Sequence, residues 1–89
     1  MPARVNPEFP GEPAIAKRLG KRIRELRERQ GLTMAELGST ARGIVYFQRQ
    51  HVWKMETGRV TPTVAALAHF ARRLDVTMAD LVEGVDGRA

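Results

Sequence analysis

The sequence contains no cysteine, which excludes a disulfide framework, a thiol nucleophile and a metal site built from thiolates. Its two histidines, His51 and His69, are too few for a histidine-based metal site, so we expect no metal and no other cofactor. The longest apolar run covers only residues 64–68, whereas a membrane-spanning helix requires about 20 residues. The chain opens with no basic and apolar leader, so we expect a cytoplasmic protein that does not contact a membrane.

Paired carboxylates and a nucleophile beside a base are also missing, so we predict that the protein is not an enzyme. Acidic residues are the minority, because 10 Asp and Glu stand against 15 Lys and Arg, which gives a net charge of +5 at pH 7. Most of this excess lies in residues 17–30, which hold seven basic and two acidic side chains. The excess favours a polyanionic partner, although a solvated helix face explains many of these charges equally well.

The 89 residues are enough for a single domain, and four of the five prolines lie within the first thirteen residues. Because proline lacks an N–H group and favours extended geometry in the preceding residue, we predict a mobile arm over residues 1–13. The domain itself is expected over residues 14–83, and residues 84–89 are expected to form a short tail.

Apolar residues at helical spacing, together with capping signals, predict five helices. The first covers residues 13–30 and ends at Gly31. The second is a short helix opened by a capping box at Thr33 and Glu36, and the third covers residues 48–57. The fourth is opened by Thr61 and Pro62, and the fifth is a short helix opened by a capping box at Thr77 and Asp80. We therefore predict an all-α fold.

Two of these helices have a predicted inward face. The stripe of the first helix consists of Ile15, Leu19, Ile23 and Leu26. The stripe of the fourth helix consists of Val64, Leu67, Ala68, Ala71 and Leu74. Both sets recur every three to four residues, which is the spacing of one helix face.

Several segments of the chain resemble one family of bacterial and phage proteins. The segments are Ile23–Arg27 with Gly31–Thr33 and Glu36–Leu37, then Val52–Arg59, and finally Thr61–Leu81. In this order they resemble the helix-turn-helix family of the lambdoid phage repressors, also called the Cro/C1-type or xenobiotic-response-element family. The resemblance covers roughly residues 15–83. It implies a five-helix, lambda-repressor-like domain that binds double-stranded DNA as a homodimer.

Two features depart from this family pattern. Met34 stands where the family usually has the glutamine that touches a DNA phosphate, so that contact is not expected here. Between Leu37 and Val52 the chain has about four residues more than the pattern, and they coincide with the apolar run at residues 44–47. Four residues are close to one helical turn, so the third helix either begins one turn early or follows a longer loop.

The third helix is expected to read DNA, because an α-helix fits the major groove, where base edges show a unique pattern of donors and acceptors. Its predicted base contacts are Gln48, Arg49, Gln50 and Trp53. The resemblance places Arg49 and Gln50 at the family's base-contact positions. Trp53 has two open interpretations, since it either meets a thymine methyl or a sugar, or packs at the edge of the core under the loop.

Phosphate contacts are expected on both sides of this helix, because positive side chains and helix N-termini bind phosphate. The candidates are Lys54, Arg59, and the N–H groups that follow Thr33 and Thr61 at the starts of the second and fourth helices. Arg27 and Glu56 are expected to stabilise the fold and not to contact DNA. The resemblance implies that they form a largely buried ion pair between the first helix and the third.

The run of Ile44, Val45, Tyr46 and Phe47 is a predicted contact surface. Four consecutive large apolar residues cannot all face the core of a small domain, and clustered exposed apolar side chains often mark an interface. The second subunit of a dimer and the DNA are the two candidate partners. In the alternative interpretation, Ile44 and Phe47 fold back into the core while Val45 and Tyr46 remain outside.

Together these features predict a sequence-specific transcriptional regulator that acts by occupying its operator. The alternative is an antitoxin whose main task is to bind a protein toxin, for which residues 1–14 and 84–89 are the available wrapping segments. The sequence distinguishes neither the operator nor the subtype, whether phage-type repressor, restriction–modification controller or antitoxin.

Overall fold

The computed structural model describes residues 3–5 and 11–87 of the chain. Within these residues the helices are α1 (Glu12–Arg29), α2 (Met34–Leu37), α3 (Arg49–Glu56), α4 (Val64–Leu74) and α5 (Met78–Leu81). Two short strands, β1 (Ala3–Arg4) and β2 (Val60–Thr61), pair in antiparallel orientation, with Ala3 opposite Thr61 and Arg4 opposite Val60. The predicted five-helix domain is therefore confirmed, with this strand pair added.

The apolar stripe of α1 faces inward, as its spacing predicts. Leu19, Ile23 and Leu26 are buried, while Ile15 at the start of the stripe is half-buried. The core continues with Leu37 from α2, Val52 and Met55 from α3, Phe70 and Leu74 from α4, and Leu81 from α5. Burial of each large apolar side chain contributes about 1.5–3 kcal/mol, and this shared core holds helices that are too short to be stable alone.

Capping explains where the two four-residue helices begin. The Thr33 hydroxyl accepts a hydrogen bond from the Glu36 N–H, and the Glu36 carboxylate accepts one from the Thr33 N–H. Thr77 and Asp80 form the same reciprocal pair at the start of α5. At the end of α1, Gly31 adopts a φ of 70°, in the left-handed region that favours glycine. These predicted caps are confirmed.

The start of α4 differs from the prediction. Thr61 lies in β2, and the N-cap of α4 is Thr63, whose hydroxyl accepts a hydrogen bond from the Ala66 N–H at 3.1 Å. The prediction that Thr61 and Pro62 open this helix is therefore wrong. The reason is that Thr61 pairs with Ala3 of β1, a long-range contact that no local pattern reveals.

The buried face of α4 also differs from the predicted stripe. Val64, which the stripe predicts to be buried, is 74% exposed, and Leu67 is half-buried. The buried residues of this helix are Ala66, Phe70, Ala71 and Leu74. Phe70 is the largest fully buried side chain among the described residues, and an aromatic ring gains more from burial than a valine does. The inward face is therefore centred on Phe70.

Residues 38–48 connect α2 to α3 as a hairpin-like loop, not as an earlier start of α3. Ser39 and Val45 pair as an isolated antiparallel bridge. The Gly38 carbonyl accepts hydrogen bonds from the N–H groups of Tyr46 and Phe47, both at 2.9 Å. A side chain at residue 38 would clash with the Phe47 carbonyl, so glycine permits this close return of the chain. We call this segment the 38–48 hairpin.

The predicted mobile arm, residues 1–13, is only partly described. Its residues 3–4 form β1, so this part of the arm is paired with β2 and is not free. Helix α1 begins at Glu12, inside the predicted arm. The prediction for residues 1–2 and 6–10 lies outside the described residues.

The predicted tail, residues 84–89, continues the packed domain as far as the structure describes it. Val85 is half-buried against the core, and Arg18 Nε donates a hydrogen bond to the Val85 carbonyl at 2.7 Å. The packed domain therefore extends beyond residue 83. Residues 88–89 lie outside the described part of the chain.

Candidate nucleic-acid interface

Helix α3 turns one face to the core and one to solvent. Its buried residues are Val52, Met55 and Glu56. Its exposed residues are Arg49, Gln50, Trp53 and Lys54. Because both sets follow the three- and four-residue spacing of a helix, burial of the apolar set determines which side chains face outward.

The exposed polar side chains of α3 have no partner within the part of the chain that the structure describes. The side chains of Gln48, Arg49, Gln50 and Lys54 form no hydrogen bond or ion pair there. With Met34 and Trp53 they line an open depression of about 620 Å³. The structure thus brings the four predicted base-contact residues together on one surface, with Lys54 beside them. Their donors and acceptors are available to an external partner.

A bidentate ion pair attaches this helix to α1. Arg27 Nε and Nη2 donate to the two carboxylate oxygens of Glu56 at 2.6 and 3.0 Å. Arg27 Nη1 also donates to the Leu32 carbonyl at 2.9 Å. The Glu56 side chain is 2% exposed and that of Arg27 is 11% exposed. The hydrogen bond to Glu56 raises the pKa of Arg27, so the pair stays charged on the guanidinium side. The two predicted partners therefore meet and join α1, α3 and the turn before α2.

Close packing of α1 on the end of α3 depends on Gly20. A Cβ at this position would overlap the main-chain carbonyl groups of Met55 and Glu56. Glycine in a helix interior costs roughly 0.5–1 kcal/mol relative to alanine, so a glycine here is explained by the close approach of the two helices. This contact sets how deeply α3 lies against α1, and with it the position of the exposed face of α3.

Arg59 lies over the ring of Trp53. Its Cζ atom is 4.7 Å from the ring centre, and Trp53 remains 41% exposed. This is a cation–π contact, in which the negative face of the ring attracts the guanidinium. The backbone brings the two together, because the Arg59 N–H donates to the Lys54 carbonyl at 2.9 Å, directly after Gly58 with a φ of 75°. Trp53 is therefore not packed under the preceding loop.

The two helix starts predicted to contact phosphate differ in their geometry. Thr33 caps α2, but its N–H is used by Glu36, and the hydrogen bonds from the Thr33 backbone and side chain lower the pKa of that carboxyl group. Thr61 caps no helix, and its hydroxyl donates to Glu12 Oε1 at 3.3 Å. The prediction that Thr61 begins a phosphate-binding helix start is wrong, because α4 begins after Thr63.

Most of the basic cluster at residues 17–30 is engaged within the domain. Arg18 and Arg22 donate to main-chain carbonyl groups of Val85 and Asp80. The exposed pairs one turn apart are Lys21–Glu25 at 4.0 Å and Arg24–Glu28 at 3.5 Å. Contacts within the domain therefore account for most of these charges, without a ligand.

The 38–48 hairpin leaves three apolar side chains in solvent. Ile44, Val45 and Tyr46 are each more than half exposed. Phe47 turns inward, with its ring centre 5.4 Å from that of Phe70. The alternative in which Ile44 also enters the core is wrong, because this side chain is 55% exposed.

Two side chains of α4 that no local sequence pattern marks hold the hairpin and α2 in place. Arg73 Nε donates to the Glu36 and Ser39 carbonyl groups, both at 3.1 Å. His69 Nε2 lies 2.9 Å from the Leu37 carbonyl. Both are contacts from an α4 side chain to the main chain more than thirty residues earlier, which no local spacing encodes.

Most of the described chain matches one known protein family. The model of a family described as a helix-turn-helix domain matches residues 18–83. The chain belongs to the helix-turn-helix domain family. Residues 18–83 include most of α1 and all of α2 to α5.

Individual relatives agree with this assignment. The HTH-type transcriptional regulator DdrOP3 of Deinococcus deserti is 32% identical over 69 residues, which cover 78% of this chain and 50% of that protein. The chain thus spans half the length of this curated relative. The clp gene regulator ClgR of C. glutamicum matches with a TM-score of 0.70 and 25% identity, over 84% of this chain and 92% of that one. The restriction–modification controller protein C.AhdI of Aeromonas hydrophila matches with a TM-score of 0.64 and 27% identity, over 74% and 94%.

Neither a membrane helix nor a metal cluster is found in the described residues of this helix-turn-helix domain. No helix there combines the length and the apolarity needed to cross a bilayer. No group of three or more His, Asp or Glu side chains there is placed to hold a metal ion.

Proposed function

We propose that this helix-turn-helix domain binds double-stranded DNA sequence-specifically and regulates transcription by occupying an operator. The observation that carries the proposal is the outward face of α3, where Arg49, Gln50 and Lys54 are exposed and unused by any described residue. A helix with long polar side chains on its exposed face fits the major groove, where each base pair has its own hydrogen-bonding pattern.

Gln48, Arg49 and Gln50 are the proposed base contacts. An arginine fork matches guanine O6 and N7, and a glutamine amide matches adenine N6 and N7. Gln48 is the N-cap residue of α3, but its side chain makes no capping hydrogen bond. All three side chains are therefore available at the first turn of the helix, where the motif contacts base edges.

Lys54 and Arg59 are the proposed phosphate contacts, because both follow the base-reading turn and carry positive charge. Neither has a carboxylate partner among the described residues. The N–H groups that follow Thr33 at the start of α2 are a further proposed phosphate contact, although that of Glu36 already donates to the Thr33 hydroxyl at 3.1 Å. Phosphate contacts of this kind place the protein on the duplex without selecting a sequence.

The names of the relatives support a regulatory role. DdrOP3 is named as a transcriptional regulator, ClgR as a gene regulator and C.AhdI as a restriction–modification controller. These three give no support to the antitoxin alternative.

We further propose a domain of the Cro/C1 type that acts as a homodimer, with its extra residues accommodated in the 38–48 hairpin. The exposed side chains of Ile44, Val45 and Tyr46 form the proposed contact surface, whose partner is the second subunit or the DNA. The cytoplasmic location stays a prediction.

Selection from random duplex oligonucleotides with the purified protein tests the proposed function. We expect a palindromic site with a defined half-site spacing. Arg49→Ala is expected to lose the preference at one position, whereas Arg24→Ala, which removes the same charge from an exposed pair on α1, keeps it. A single half-site would contradict the dimer, and no enriched duplex would contradict DNA recognition itself.

A further inference from the structure

Arg59 differs from the other cations around α3 in how it is held. Arg49 and Lys54 extend into solvent, whereas the guanidinium of Arg59 lies 4.7 Å from the ring centre of Trp53. Trp53 is the only tryptophan of the chain, and at 41% exposure it is a large aromatic side chain kept at the surface. Tryptophan is highly buried on average, so the exposure of this ring calls for an explanation.

We propose that Trp53 is a positioning residue that holds Arg59 for a DNA phosphate, an inference that rests on the proposed DNA binding. A cation–π contact attracts the charge of the guanidinium but leaves its N–H donors free. A carboxylate partner, by contrast, occupies those donors and neutralises the charge, as Glu56 does for Arg27. Trp53 therefore orders Arg59 without competing with a phosphate.

Ordering matters because a free arginine loses much rotamer freedom when it binds. An immobilised long side chain costs roughly 0.5–1.5 kcal/mol on association, and preorganisation removes part of that cost. The Arg59 backbone is already held by the Lys54 carbonyl, so the ring completes the restraint on the side chain. Because Arg59 lies over one face of the ring, Trp53 acts through Arg59 and is not itself a reader of bases.

A mutant cycle on the full chain tests this inference. Trp53→Ala, Trp53→Phe, Arg59→Ala and the Trp53→Ala/Arg59→Ala double variant are titrated with the selected duplex and with its single-base variants. We expect Trp53→Ala to weaken binding to all sequences alike, by about two- to fivefold, because Arg59 must then be ordered on binding. Trp53→Phe is expected to keep most of the wild-type affinity. In the Arg59→Ala background, Trp53→Ala is expected to have no further effect.

Lys54→Ala provides the matched control, because Lys54 neighbours Trp53 without lying on its ring. The affinity lost in Lys54→Ala is expected to add to the affinity lost in Trp53→Ala. A full effect of Trp53→Ala in the Arg59→Ala background, or a changed base preference, would overturn the inference while leaving DNA binding intact. Failure of the wild type to bind any duplex would instead overturn the proposed function, and the phosphate role with it.

Fluorescence of the single tryptophan gives a readout that requires no DNA. Arg59→Ala uncovers one face of the ring, so we expect acrylamide to quench Trp53 more strongly in this variant than in the wild type. Lys54→Ala is expected to leave the quenching unchanged. Equal quenching in the wild type and Arg59→Ala would show that the two side chains are not in contact, and would overturn the inference.

Discussion

The arginine residues of this domain divide by the partner that each guanidinium meets. Arg27 meets a buried carboxylate, Arg22 and Arg73 meet main-chain carbonyl groups, and Arg49 meets no described residue. The ion pair of Arg27 stabilises the fold, and Arg22 and Arg73 satisfy carbonyl groups near the ends of short helices. The guanidinium of Arg49 is available to a ligand. Net charge alone therefore does not locate the binding surface.

Substitution of two exposed arginines should separate base reading from phosphate binding. Arg49→Ala is expected to relax specificity at one base pair per half-site, at a cost of about 1–3 kcal/mol each. Arg59→Ala is expected to weaken all sequences alike and to lower the salt slope by about one unit. Titrations of the operator and its single-base variants at several salt concentrations measure both effects. Identical behaviour of the two variants would contradict this division of roles.

Glu56→Ala should destabilise the fold itself. Removing one member of a buried ion pair typically costs about 3–5 kcal/mol, because the other charge is left without a partner. Urea unfolding followed by circular dichroism measures the loss. Glu28→Ala is the matched control, since its pair with Arg24 is exposed and worth about 0–1 kcal/mol. An unchanged midpoint for Glu56→Ala would show that the pair does not contribute.

At the scale of elements, α3 is positioned by what surrounds it more than by its own sequence. It is eight residues long, which is too short for a stable isolated helix. The Arg27–Glu56 pair and the close approach at Gly20 attach its C-terminal end to α1, while the 38–48 hairpin leads into its N-terminal end. The exposed face of α3 is therefore set from both ends.

Gly20→Ala should reverse the usual effect of this substitution in a helix. Alanine normally stabilises a helix interior by about 0.5–1 kcal/mol relative to glycine. Here the added methyl group would overlap the carbonyl groups at the end of α3, so we expect a net loss of about 1–3 kcal/mol. Thermal unfolding measures it, with exposed Lys21→Ala as a control expected to change little. A more stable Gly20→Ala variant would contradict the close packing.

Replacing Val45 and Tyr46 together with serine tests the hairpin as a contact surface. We expect a normally folded protein with weaker dimerisation or weaker DNA binding, because these exposed apolar side chains are placed to meet a partner. Sedimentation and duplex titration show which of the two falls. Val45→Ser alone keeps the contact of Tyr46 with His69 and serves as the control for local stability. If neither property changes, the segment is only a long turn.

At the scale of the whole molecule, the charges available to a polyanion are far fewer than the composition suggests. The segment 17–30 holds most of the excess, yet many of its cations are paired with carboxylates or main-chain carbonyl groups. Three of the cations without such partners, Arg49, Lys54 and Arg59, lie on or beside α3, at the proposed DNA contacts.

Duplex affinity should depend strongly on salt. If a dimer neutralises roughly 6–10 phosphates, its affinity should fall by about 10³–10⁵ between 50 and 200 mM salt, because bound counterions are released on association. Fluorescence anisotropy over this salt range measures the slope, and heparin is the comparison polyanion. Equal affinity for heparin and the selected duplex would contradict sequence-specific recognition.

Local signals in the sequence predicted all five helices, although not the start of α4. The stripe of α1 has a period that only a helix can place on one face, and the capping box of Thr33 and Glu36 closes within three residues. Both depend on contacts between near neighbours in the chain. The grouping of Gln48, Arg49 and Gln50 on the first turn of α3 follows from the same local geometry, together with the family resemblance.

Tertiary structure decided the remaining features, because they depend on residues that are distant in sequence. Because Thr61 pairs with β1, α4 is capped by Thr63 and not by Thr61. Because the buried face of α4 is centred on Phe70, Val64 is exposed. The partners of Arg73 lie more than thirty residues away, so no spacing reveals them. In each case the stabilising contacts join several elements of the fold, whereas local propensity describes only one element at a time.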